Sequence, residues 1–511
     1  MDRRLSSEAS LFGAKACGSK WVVFFKYELS RSRNFLIEVS SLHMSYTRRH
    51  LLQGSLAGGA TGVLTGLVQG QEGSGAKTIR KKPRGIIFCV SDGMSQGVLS
   101  MTEAFSNQVR GKGTSWWELL AGGEAVLGLM DTASSSSMVT DSAAASSAWS
   151  SGKRVPNGQI NFDGNGKRLE SIGETLEKEQ VRLGLVSTAS ITHATPAGFA
   201  SSVLKRGQED AIATQYLNRV DVILGGGSRF FDPKKRQDKK DLFGSFAREK
   251  YDVVKSRNGL LKSKSRKILG TFSPGYIPYT IDRDQNKEMQ KVVPTLAEMS
   301  EAALSRFLDD DASFLLQIEG ARIDHAAHKN DIGAILHEQM AFDDAVAKVL
   351  AMTGGRDDIL VVLTSDHGNA NPGLNGTGAG YHQTDESFSK IAKIRGSAEF
   401  FLQRWQQIKT KSTGDLGKLM EAIYGFKPSS QELEALMDRC AGKQVTEWSN
   451  QLSNPVGLLG QIVGNVTGVG WTGICHTSDP TQLTSIGPGA GEFSGLVRND
   501  SVRDRLLRIL L

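Results

Sequence analysis

Three apolar segments of this chain run directly into an acid. GIIFCVSDG reaches Asp92, SFLLQIEG reaches Glu319, and DILVVLTSDHG reaches Asp366 with His367 immediately behind it. Asp92-Gly93 alone is an ordinary turn signal. Three acids at equivalent strand ends are harder to explain that way, because gathered carboxylates repel one another unless a cation lies between them. The histidines point to the same chemistry. In EGARIDHAAHKND, Asp324 and His328 stand four residues apart, which puts both on one face of a helical turn and suits a shared ion. His325 lies between them and points elsewhere. His476 sits in a loop-rich stretch, GICHTSD. Mixed oxygen and nitrogen donors suit Zn2+, and an all-oxygen remainder suits Mg2+. His337 and His382 stand alone and are read as structural or exposed.

A second stretch, VTDSAAASSAWSSGKR (Val139–Arg154), has almost nothing but small side chains after Asp141 and Ser142. It reads either as a serine-rich loop or as a helix whose first turn presents Ser142 as a nucleophile and which packs very close to a neighbour. A helix cap at Thr140 or Asp141 explains its start but not its run of small residues.

These residues need elements to deliver them. Buried strands are predicted at Gly85–Gly93, Arg182–Ser190, Asp221–Gly227, Ser313–Gly320 and Asp358–Gly368, with helices between them at Thr295–Leu308 and Ala334–Met352. Continuous Val/Ile/Leu runs separated by helices indicate an α/β fold, a three-layer α/β/α sandwich around a largely parallel sheet. In such sheets ligands bind beyond the carboxyl ends of the strands, where the three acids fall. Residues 391–467 read as a helical insertion, and the basic run 232–267 as a surface excursion. The chain of 511 residues carries a formal net charge of +7. Its basic runs lack any nucleic-acid-reading motif and are taken as solvated faces. Four cysteines without paired spacing indicate neither a disulfide framework nor a thiolate zinc site.

The N-terminal region has its own signature. MSYTRRHLLQGSLAGGATGVLTGLVQGQ begins at Met44 and places Arg48 and Arg49 before a Gly-rich, weakly apolar stretch, the layout of a twin-arginine export signal. Translation is expected to begin at Met44, with residues 1–43 an upstream over-extension or disordered, the signal at 44–70, cleavage near Gly70, and a basic linker at 71–84. The expected destination is the periplasm or the exterior, with the membrane met only through that signal.

Taken in order, SDGM, TDSAAASSAWSSG, THATPAGF, IEGARIDHAAH, TSDHG and CHT resemble the alkaline phosphatases, metal-dependent phosphomonoesterases, over about Gly85 to Pro480. The resemblance implies Ser142 as the nucleophile that becomes phosphoserine. It implies one Zn2+ on Asp324, His328 and His476 and a second on Asp92, Asp366 and His367. It places Mg2+ between Asp92, Thr195 and Glu319, and makes Arg206 the phosphate-clamping arginine. It also implies phosphate monoesters as substrates and a homodimer as the family habit. His193 and His325 occupy substrate-side positions where other members carry an acid or a lysine. Such a histidine at 193 could favour Zn2+ in the third site. The rival readings are a phosphodiesterase of the same superfamily and a non-catalytic exported protein that binds metal or phosphate. Diesterases commonly use Thr and lack the arginine clamp and the third site, and a non-catalytic protein would be expected to have lost Ser142 or a zinc ligand.

Overall fold

The computed structural model describes residues 10–17, 20–26, 82–443 and 448–511. The chain divides into two units, Met1–Ala76 and Lys77–Leu511. The first contains an antiparallel ladder, Ser10–Cys17 against Lys20–Lys26. The expected export signal and the linker up to residue 81 lie outside the described residues. No helix among the described residues is long and apolar enough to cross a membrane.

The second unit is built on a ten-stranded sheet. In chain order its strands are β1 (Gly85–Val90), β2 (Val126–Asp131), β3 (Arg182–Ser190), β4 (Val222–Gly226), β5 (Asp252–Val254), β6 (Ile268–Thr271), β7 (Phe314–Glu319), β8 (Ile359–Thr364), β9 (Thr481–Ile486) and β10 (Gly495–Arg498). Their spatial order is β10-β2-β9-β8-β1-β7-β3-β4-β6-β5. Only β9 runs against its neighbours. The fold is therefore α/β with a mostly parallel sheet, as the apolar runs predict.

Those runs are apolar throughout because both faces of the central strands are covered. On one face Ile87, Leu316 and Val361 pack with the helices Leu296–Leu308 and Ile332–Thr353. On the other, Phe88, Leu315 and Leu360 meet the helices Ser142–Ser151, Ala194–Ala200 and Val502–Leu510. Local chemistry sets the helix starts. Thr295 and Glu298 form a capping box, and the Asp331 side chain accepts from Ala334 N, so the long helix begins two residues before the predicted start.

Within 232–267 lie the helices Leu242–Arg248 and Arg257–Lys262 and the edge strand β5. Between 391 and 467 the major elements are the helices Ala398–Gln407, Thr413–Tyr424, Ser430–Cys440 and Pro455–Thr467. Phe401, Trp405, Leu416 and Leu436 from them join the first core. Cys89, Cys440 and Cys475 are unpaired.

Candidate active site

Parallel register brings the first acids together. Val90 of β1 pairs with Thr364 of β8 on one side and with Glu319 of β7 on the other. Asp92 and Asp366 therefore each stand two residues past the same rung on adjacent strands, with Glu319 level with that rung. All three are fully buried. Neither Asp92 oxygen accepts a hydrogen bond, and Asp366 Oδ2 and Glu319 Oε1 are equally bare. Asp366 Oδ1 does accept from Gly93 N and His367 N, each at 3.0 Å. Ser187 Oγ donates to Glu319 Oε2, and the neighbouring Thr195 hydroxyl also favours the ionised form of that acid. Burial nevertheless pushes Glu319 up to about 7 and Asp366 up to about 6. Asp92 rises well above the carboxylate range through burial and the charges of Asp366, Asp324 and Glu319. Unpaired carboxylate oxygens buried side by side are costly unless a cation neutralises them.

The second group is assembled by a short ladder. Gly368–Asn369 pairs with His476–Thr477, which sets His476 beside the end of β8. The His476 and His367 rings stack with centroids 3.7 Å apart. His328 caps the helix Arg322–Ala327, which carries Asp324. His328 Nδ1 donates to Ile474 O at 2.7 Å and His476 Nδ1 donates to Thr140 O at 2.8 Å. Both Nε2 atoms therefore present lone pairs, yet they face each other at 3.0 Å. Each also lies 3.5 Å from an Asp324 oxygen. Two acceptors and a carboxylate aimed at one point are the donor set of a zinc-like ion. Asn369 Nδ2 donates to Asp324 Oδ1 at 2.7 Å and fixes that carboxylate. A proton on any of the nearby histidines holds Asp324 below the usual carboxylate range despite its burial.

Three groups of potential ligand atoms converge among the described residues: Asp324, His328 and His476; Asp92, Asp366 and His367; and Asp92, His193 and Glu319. The residues present thus fit cations. The first two groups match the expected zinc sets, and the third adds His193 to the expected magnesium set.

Ser142 opens the helix Ser142–Ser151, with Asp141 as its cap accepting from Ala144 N. It is 2 % exposed. Its Oγ lies 3.2 Å from His367 Nε2. The small residues behind it are explained by the neighbouring helix. A side chain added at Gly198 would lie 2.2 Å from Ser146 Oγ, and Ser146 Oγ itself donates to Thr195 O at 2.6 Å. The helix bearing Ser142 is thereby pressed onto the helix bearing Thr195. The serine-rich-loop reading does not hold.

Arg206 Nη1 donates to Asp141 Oδ2 at 3.0 Å and Nη2 donates to His193 Nε2 at 3.1 Å. Asp141 therefore both starts the Ser142 helix and orients the arginine. The His193 and His325 rings lie 5.6 Å apart, with Tyr276 set 4.5 Å from His325. Burial holds His193 down at about 3 and His325 well below its ordinary value. The twelve candidate site residues, Ser142, Arg206, His193, His325, Asp92, Thr195, Glu319, Asp324, His328, Asp366, His367 and His476, lie in or beside this constellation, and His337, packed on Phe105, does not. Sequence reasoning missed Asn369, Tyr276, Arg322 and the pairing role of Asp141. Only Asp141 carried a signal, its place immediately before Ser142.

A family model, "Alkaline phosphatase", matches residues 83–511. Alkaline phosphatase 3 of Bacillus subtilis (strain 168) is 28 % identical over 439 residues, covering 84 % of this chain and 89 % of that protein. The crystal structure of Thermus thermophilus alkaline phosphatase superposes with a TM-score of 0.78 at 32 % identity, covering 84 % of this chain and 91 % of that one. A cold-active alkaline phosphatase from Shewanella sp. gives a TM-score of 0.69 at 26 % identity, covering 84 % of this chain and all (100 %) of that one. With its metal-ready groups and its buried serine, the chain belongs to the alkaline phosphatase family and is a phosphatase of that metal-dependent kind.

Proposed function

We propose that the protein hydrolyses phosphate monoesters through a phosphoserine formed on Ser142. The observation that carries this reading is the convergence on one hydroxyl. Ser142 Oγ touches His367, His367 stacks on His476, and Asp141, next to Ser142, holds Arg206.

In this reading Asp324, His328 and His476 hold one Zn2+ and Asp92, Asp366 and His367 a second. Asp92, Thr195 and Glu319 hold Mg2+, with His193 near enough to favour Zn2+ there instead. Bound cations supply Lewis acidity, easing deprotonation of the hydroxyl and of water and stabilising the charge on the departing oxygen. The chain's own groups do the rest. Arg206 clamps two phosphoryl oxygens through its planar fork, already aimed by Asp141. His193 and His325 line the substrate side. The amide end of the Ser142–Ser151 helix adds positive potential where the phosphate arrives. Ser142 attacks in line and the ester oxygen leaves on the opposite side. Water then enters from the vacated side and releases phosphate, so two inversions return the original configuration at phosphorus.

The monoester reading is favoured over a diesterase because the nucleophile is Ser142 rather than a threonine, and because Arg206 and the third group, Asp92, Thr195 and Glu319, which diesterases of the superfamily commonly lack, are present. A homodimer and export through the twin-arginine pathway to the periplasm or exterior belong to the same proposal. The test compares p-nitrophenyl phosphate with bis(p-nitrophenyl) phosphate, with and without chelator, for the wild type and Ser142→Ala. Chelator-sensitive, Ser142-dependent turnover of the monoester is expected. Preference for the diester, or turnover indifferent to Ser142, contradicts the reading.

A further inference from the structure

Arg322 lies behind the phosphate pocket and has no part in the mechanism above. It is 3 % exposed, and its guanidinium carbon stands 3.7 Å from the centre of the Tyr279 ring and 5.5 Å from that of Tyr276. Nη1 reaches His325 Nδ1 at 2.9 Å, while Nη2 donates to Glu399 Oε2 at 3.0 Å. Glu399 belongs to the helix Ala398–Gln407 of the helical segment. The start of that helix is anchored, since Ala398 N donates to Asp331 Oδ2 at 2.6 Å and Ser397 N donates to Asp282 Oδ1 at 2.8 Å. Glu399 is therefore held on a fixed backbone although its side chain is 41 % exposed.

A guanidinium can only donate. His325 Nδ1 must then accept, which leaves the proton of the neutral ring on Nε2, an atom that no described residue bonds. Arg206 engages the other nitrogen of the neighbouring ring, because it donates to His193 Nε2 and leaves only Nδ1 for a proton or for an ion in the third group. Two arginines thus occupy opposite ring nitrogens of two adjacent imidazoles, and only His325 is left with a free Nε2–H. We propose that Arg322, held by Glu399, is a positioning residue that fixes His325 as an Nε2–H donor to the phosphoryl group. This rests on the phosphate pocket assigned under Proposed function.

The test uses the metal-replete protein, with inorganic phosphate as the probe and 15N-histidine NMR as the tautomer readout. Glu399→Gln and Arg322→Lys should each weaken inhibition by phosphate about tenfold, the worth of one charge-assisted hydrogen bond. Lysine cannot serve His325 and Glu399 together as the planar fork does. Zinc content should stay unchanged while the His325 signal departs from the pure Nε2–H form. In a His325→Ala background neither substitution should weaken phosphate binding further. The proposal is overturned if the losses multiply in that background, if the His325 signal stays put in both variants, or if phosphate binding weakens only with loss of zinc. Should Arg322→Lys not fold, Glu399→Gln decides alone, its side chain being partly in solvent. A wild type inactive on p-nitrophenyl phosphate would instead sink the phosphomonoesterase reading, and the tautomer would still be readable.

Discussion

At the scale of single residues, the site buries carboxylates whose charge either a proton or a metal cation must relieve. Glu319 at about 7, Asp366 at about 6 and Asp92 higher still are all raised by burial. In an unfolded chain such groups titrate near ~4. The metal-free fold therefore binds more protons than the unfolded chain, and its stability falls as pH rises through about 7. His193 and His367, both lowered, act in the other sense, but only below about pH 6.5, where an unfolded histidine takes up its proton. From about pH 6.5 to about pH 8 the chelated protein should lose melting temperature, and metal-loaded protein should lose less, because cations hold the carboxylates ionised. A flat profile after chelation contradicts this. Ser142→Ala should cut kcat about a thousandfold or more, as loss of a nucleophile does elsewhere, while zinc content by elemental analysis stays at the wild-type level. Loss of zinc in step with activity would make Ser142 a structural residue instead.

At the scale of elements, small side chains set the reach of Ser142. Gly198→Ala forces a methyl against Ser146 and through it onto the Ser142 helix. The expected cost is about 1–3 kcal/mol of stability, as for other overpacked cores. A kcat loss larger than any change in KM should accompany it, because the nucleophile is displaced. Thermal melts and kinetics on the same preparation check both, and wild-type behaviour in each would show that the two helices have room to spare. This contact was half legible in the sequence. The stripped stretch after Ser142 announced a close neighbour, but nothing marked Gly198 as that neighbour. The central strands were legible because burial on both faces leaves continuous apolar runs. Strands β2, β5, β6, β9 and β10 were not: β5 and β6 are too short to make such a run, β9 (TQLTSI) is polar along its length, and β2 and β10 at the sheet edge set exposed Leu127, Leu129 and Leu496 beside buried Met130 and Val497.

At the scale of the whole molecule, the site draws on residues from Asp92 to His476. Their convergence follows from parallel register and one short ladder, neither of which a sequence displays. The residue types were readable because metal chemistry limits the donors to acids and imidazoles. Their supports, Asn369 behind Asp324 and Arg322 behind His325, were not, because Asn and Arg at those positions resemble ordinary surface residues until the fold buries them. Exhaustive chelation should abolish turnover, and restoring Zn2+ with Mg2+ should recover it. Recovery by Mg2+ alone would contradict a zinc assignment for the histidine-bearing groups. The central claim is that this constellation makes Ser142 the phosphoryl acceptor. Mass spectrometry of acid-quenched, metal-loaded enzyme incubated with inorganic phosphate addresses it most directly. A phosphorylated peptide modified at Ser142, absent after chelation, is the predicted result. Turnover of p-nitrophenyl phosphate with phosphate trapped on another side chain, or undiminished in Ser142→Ala, would contradict it.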